Sequence, residues 1–131
     1  MYKQFIMKSI ALILLSLLMN VSIASAQSNP IDEAKQRATK LTELMNEKLK
    51  LSSDQLAKIT ELNLGVAIKN TTVINSADQS YDFKVASIKG NNQGRKDYLK
   101  VFLTAEQYQK FESLENEFVT SDLIESIEDI K

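Results

Sequence analysis

The chain has 131 residues, with 16 basic and 17 acidic side chains and a net charge of −1; it contains no Cys, His or Trp. Such a balance is not that of a general nucleic-acid binder, and the usual general base, thiol nucleophile and soft metal ligands are missing. No disulfide can brace the fold, so packing, self-association or a partner must hold it.

Residues 1–26 read as a signal peptide. Lys3 and Lys8 supply a positive n-region, Ile10 to Val21 is apolar apart from Ser16 and Asn20, and Ala24-Ser25-Ala26 forms an A-x-A cleavage site. The apolar run is short for a membrane span, and no Cys follows it to carry a lipid anchor. Cleavage leaves residues 27–131 as a single domain of 105 residues. Its 14 basic residues (16 less Lys3 and Lys8) against 17 acidic ones give −3.

Asn29-Pro30-Ile31-Asp32 predicts a helix start, with Asn29 as cap and Pro30 in the first helical position. Ala34, Ala38, Leu41, Met45 and Leu49 follow helical spacing, widened by Leu44. The helix should end near Lys50. A second helix follows Ser52, its phase kept by Leu56, Ile59, Leu62, Val66, Val73 and Ala77. Gly65 and Asn70-Thr71-Thr72-Val73 weaken it. Thr71 to Ile74 alone could pass as a strand, but no partner strand is visible.

The third helix should run from about Ala77 to Phe102, with Tyr81, Val85, Ile88, Leu99 and Phe102 on one face. Gly90-Asn91-Asn92-Gln93-Gly94 reads as a turn in isolation. The apolar phase is nonetheless the same on both sides, with Asn92 and Arg95 falling in the stripe, so one helix with a soft middle is expected. A fourth helix follows Thr104 and carries Tyr108, Phe111, Leu114 and Phe118. After a disturbance at Val119 to Asp122, Leu123, Ile127 and Ile130 predict a short acidic tail helix, with Ile124 beside Ile127. The class is all-α, with four long helices.

One nine-residue pattern occurs twice. Leu51-Ser52-Ser53-Asp54-Gln55-Leu56-Ala57-Lys58-Ile59 is matched by Leu103-Thr104-Ala105-Glu106-Gln107-Tyr108-Gln109-Lys110-Phe111. Ser52 and Thr104 suit N-caps, and Gln55 and Gln107 sit where a capping box requires them. Leu51 with Leu56, and Leu103 with Tyr108, add hydrophobic staples. Asp54 and Glu106 place negative charge at the positive end of each helix dipole.

Leu-Thr-x-x-Gln twice in a short exported all-α chain resembles the Spy/CpxP family of periplasmic LTxxQ proteins. The second copy keeps the motif as Leu103-Thr104-Ala105-Glu106-Gln107; the first has Ser52 for Thr. The resemblance covers about Leu41 to Leu114. It implies a thin cradle of four long helices, pairing as an antiparallel homodimer, and a periplasmic role in envelope stress. Some members are ATP-independent chaperones for unfolded clients; others modulate a sensor kinase. Catalysis is not implied. A chaperone cradle of this kind is basic and apolar on its concave face. Here Lys84, Lys89, Arg95, Lys96 and Lys100 form a modest basic segment, the candidate client contact, while Glu112 to Asp129 is acidic.

The residues themselves support no enzyme. Glu125, Glu128 and Asp129 read as a solvated acidic face, no EF-hand spacing is present, and no Ser sits in a G-x-S-x-G elbow. No cofactor and no metal are expected. The leading expectation is a periplasmic holdase without a membrane anchor after cleavage, binding unfolded envelope proteins and no nucleic acid. The alternative is an adaptor or inhibitor of one folded envelope partner, such as a sensor domain.

Overall fold

The computed structural model describes residues 28–131, so the expected signal peptide and its cleavage site lie outside the described residues. Four α-helices follow in order: α1 (Pro30–Leu49), α2 (Ser53–Ile74), α3 (Tyr81–Phe102) and α4 (Ala105–Thr120). A single 3-10 turn, Ile127–Asp129, comes last, and no strand occurs among the described residues.

The helix starts follow from side-chain chemistry. Asn29 Oδ1 accepts from the Ile31 amide at 3.0 Å, with Pro30 at the first turn and Asp32 and Glu33 facing the positive end of the dipole. Ser80 Oγ accepts from the Phe83 amide at 3.2 Å, which starts α3 later than the expected Ala77. Residues 76–80 are the turn between α2 and α3. Thr71 to Ile74 is helical. Its β-branched residues are poor helix formers, but Asn70 and Thr71 are buried against neighbouring helices, and packing overrides propensity.

Helix α3 runs unbroken through Gly90 and Gly94, and neither glycine has a positive φ. Ile88, Arg95 and Leu99 bury the inner face on both sides of this segment and hold it in helical phase. Helix α4 ends in a Schellman motif. Asp122 takes the left-handed conformation at φ 58°, Leu123 N–H donates to the Phe118 carbonyl at 2.9 Å, and Asp122 N–H donates to that of Val119 at 3.1 Å. This reversal corrects the expected tail helix. The chain turns back so that the adjacent residues Ile124 and Glu125 both enter the bundle. Only one turn of 3-10 helix remains, capped by Ser126 and Asp129.

Helix α1 packs along α2, α2 packs along α3, and α4 rests on α1 and α3. The apolar core draws on every element: Leu41, Met45 and Leu49 of α1, Ile59 of α2, Leu99 and Leu103 at the end of α3, Phe111 and Phe118 of α4, and Ile124 of the tail. The rings of Phe111 and Phe118 lie 6.0 Å apart. Burying each such large side chain contributes roughly 1.5–3 kcal/mol. Towards the start of α1 the apolar contact shrinks to Ala34, Ala38 and Ala67. Polar side chains fill the space beyond.

Candidate functional site

The doubled motif forms a clasp. Each copy is a complete capping box: Ser52 Oγ accepts from Gln55 N–H at 3.2 Å while Gln55 Oε1 accepts from Ser52 N–H at 3.0 Å. Thr104 and Gln107 repeat this at 3.2 and 2.9 Å. The amides left over then meet across the bundle. Gln55 Nε2 donates to Gln107 Oε1 at 2.8 Å, and Gln107 Nε2 donates to Gln55 Oε1 at 3.1 Å. Gln55 Nε2 also reaches the Phe102 carbonyl at 2.9 Å, and Gln107 Nε2 reaches that of Leu49 at 3.2 Å. The α1–α2 and α3–α4 turns are thereby tied to each other. Leu51 and Leu103 pack into the adjoining core. Every hydrogen-bonding group of the two glutamines is engaged in fold contacts, so the motif has a structural task.

The basic segment does not form one surface. Lys84 is buried, and its Nζ donates to the Ile74 carbonyl at 2.9 Å, closing the end of α2. Arg95 is 1% exposed. Both are therefore excluded as surface contacts; their side chains stabilise the bundle's own polar groups or lie among them. Lys96 pairs with Glu115 at 3.1 Å. Lys100 lies over the Tyr108 ring at 5.4 Å from its centroid, and Lys89 is exposed.

A different surface is open. A groove of about 220 Å³ runs between α2 and α3, lined by Leu62, Gly65, Val66, Gly90, Gly94 and Tyr98. At Gly90 and Asn91 it continues into a shallower depression of about 560 Å³ beside Ile68, Val73 and Ser87. All three glycines of the chain line this groove, and a Cβ at any of them would meet nothing within 4 Å. Tyr98 lines it, and other large apolar side chains are exposed on the same two helices: Phe83 and Val101 on α3, the last 76% exposed, and Leu64 on α2. Phe83 and Val101 lie about five helical turns apart and so share a face.

Beyond Ala34, Ala38 and Ala67 lies a buried polar network. Glu125, 1% exposed, accepts from Arg37 Nε at 3.1 Å and Asn70 Nδ2 at 3.2 Å. Its backbone carbonyl accepts from Asn92 Nδ2 at 2.7 Å. Arg37 Nη2 donates to Thr71 Oγ1, and Asn70 bonds Asn91 and Asn92. Arg95 Nη1 reaches Asn92 Oδ1 at 3.5 Å, while its Nε and Nη2 find no partner among the described residues. Burial pushes the Arg95 guanidinium down to about 10, opposed by the charges of Glu125 and then Glu115. Among the described residues, no group of three or more carboxylates converges on a point that could hold a metal ion. None of their helices is long and apolar enough to cross a membrane.

The family described as Domain of unknown function (DUF4890) matches residues 24–111. The chain belongs to the DUF4890 family. No curated protein and no solved structure matches it. The DUF4890 match takes in α1, α2, α3, both copies of the motif and the Gln55–Gln107 clasp, and it stops within α4 at Phe111. The rest of α4 and the whole tail lie beyond it.

Within this DUF4890 chain the sequence pattern pointed to the caps and missed the polar network. Asn63 and Asn70 occupy the buried stripe of α2, as Asn92 and Arg95 do in α3. Polar residues in the core phase of two neighbouring helices were the available signal. Arg37 and Glu125 gave none, because charged residues at such positions read as solvated faces.

Proposed function

We propose that the chain is an exported, Spy/CpxP-like envelope-stress protein that acts as an ATP-independent holdase. It binds apolar segments of unfolded proteins and performs no catalysis. The observation that carries this reading is the exposed apolar face of α3 beside the glycine-floored groove. Large apolar side chains exposed on one helix face beside a groove suit an interaction site. The glycines let a bound segment approach the helix backbone closely. The doubled Leu-Ser/Thr-x-x-Gln motif supports the kinship with periplasmic LTxxQ proteins, and with it the cradle and the homodimer. Of the basic segment, Lys89 and Lys100 remain at the surface; Lys84 and Lys96 are engaged within the fold, and Arg95 is buried.

Light scattering of two unrelated denatured clients, with and without the protein, tests the reading. The protein should suppress aggregation of both. Gly90→Leu with Gly94→Leu fills the groove from positions where a side chain meets open space, and should weaken suppression while the helical circular dichroism stays unchanged. No effect on either client removes the holdase reading. Tight binding to one folded envelope protein, with no effect on clients, replaces it with the adaptor.

A further inference from the structure

The tail, residues 121–131, packs back on the bundle, and a cleft lies at each side of its central residues. A cleft of about 360 Å³ lies between the tail and the ends of α1 and α2, with Pro30, Arg37 and Asn75 on one wall and Asp122, Glu128 and Asp129 on the other. A second, of about 380 Å³, is lined by Ser126 and Ile127 of the tail and by Ile88, Gln93 and Lys96 of α3. Between the clefts, two consecutive buried residues anchor the tail, with Leu123 against the core and Asp122 3.9 Å from Arg37. Ile124 fills a place in the apolar core, and the Glu125 carboxylate is gripped by Arg37 of α1 and Asn70 of α2. Asn92 of α3 holds the Glu125 carbonyl.

Each of the three helices thus supplies one polar side chain to a single acidic residue. The guanidinium–carboxylate bond among them is of the strong, charge-assisted kind. A second guanidinium lies behind Asn92 in Arg95, which is buried and keeps Nε and Nη2 without partners among the described residues. Arg37 also lies 3.9 Å from Asp122 of the tail, and Arg95 feels Glu115 as well as Glu125.

We propose that this three-helix receptor is a binding site for an acidic peptide segment of a partner protein, which Glu125 occupies in cis. The segment it takes carries an aliphatic residue followed by an acid, as Ile124-Glu125 does. The tail is the latch that closes the site. An acidic partner gains entry in proportion to the fraction of molecules whose latch is open. This site is separate from the α2–α3 groove and stands whether or not the protein holds unfolded clients.

The probe is a fluorescein-labelled peptide of residues 119–131, followed by anisotropy against the full-length protein. A latch closed about 90–99% of the time weakens binding in trans by roughly ten- to a hundred-fold. Glu125→Gln in the protein loosens the latch without changing its size. It should tighten binding of the probe at least about ten-fold. A probe carrying Glu125→Gln should lose that gain, and Arg37→Met added to the loosened protein should abolish binding. Equal affinity of the two proteins, or of the two probes, overturns the proposal. Probe binding that occurs only as a protein dimer dissociates, seen by sedimentation, assigns the site to the tail of a second copy and overturns the partner reading. Hydrogen exchange on the unaltered protein decides the case should Glu125→Gln fail to fold. The Ile124 amide should exchange at least about ten-fold faster than those of Leu41 and Leu99; equal protection means that the tail never opens separately.

Discussion

Lys50 closes α1 in the left-handed conformation, at φ 52°. A side chain there crowds the following carbonyl, and glycine escapes that cost. Lys50→Gly should therefore stabilise the protein by about 1 kcal/mol, seen as a higher urea midpoint. The bond from Gln107 uses the Leu49 carbonyl and survives the change. Ser52→Ala and Thr104→Ala should each cost about 0.5–2 kcal/mol, the usual loss for an N-cap. The clasp adds a coupling that a simple cap lacks. A double-mutant cycle of Gln55→Ala and Gln107→Ala should show an interaction of at least about 0.5 kcal/mol, as contacting residues do; additive losses would mean that the reciprocal amide pair contributes nothing. Arg95 runs the other way, since its burial leaves donors unpaired. Arg95→Met should stabilise by roughly 1–3 kcal/mol at pH 8, with Glu125 still held by Arg37 and Asn70. The Arg95 value is lowered to about 10 in the fold. Below that pH both states keep the proton and the penalty is constant. Above it the unfolded chain binds more protons than the folded one, so the wild type gains stability as pH rises. The advantage of Arg95→Met in urea midpoint should shrink between pH 8 and pH 11.

The glycines of α3 make the test at the scale of an element. Each sits in the interior of a helix, without a positive φ, where a Cβ would meet nothing within 4 Å. Gly90→Ala and Gly94→Ala should each stabilise by about 0.5–1 kcal/mol, because Ala restricts the unfolded chain and suits a helix. Thermal unfolding checks this. A destabilised variant would mean that the groove floor is filled within the folded protein. A stabilised variant with weaker client holding would identify the glycines as kept for the surface. The helix survives two glycines because Ile88, Arg95 and Leu99 pin its inner face.

Self-association belongs to the whole molecule. Val101, Tyr98, Phe83 and Leu64 leave apolar surface in water, and pairing recovers roughly 25 cal/mol for each Å² covered. The protein should sediment as a dimer at micromolar concentration. A single monomeric species of compact frictional ratio would remove the homodimer and the cradle from the functional reading.

Local chemistry determined most of the elements. Asn29, Ser52, Ser80 and Thr104 cap the four helices, and the helical spacing of α1 predicted every apolar residue of its buried face, missing only Thr42. Three of these starts were legible because a cap and the amide that donates to it lie two or three residues apart; Ser80 went unread because the helical phase of α3 runs on past its true start. Tertiary structure decided what joins distant residues. Gln55 and Gln107 are 52 positions apart, so the sequence shows two caps and not one clasp. Glu125 reads as a surface acid until Arg37, 88 positions away, receives it. The basic segment from Lys84 to Lys100 is continuous in sequence, but a helix distributes its side chains around the axis, and the bundle buries two of them.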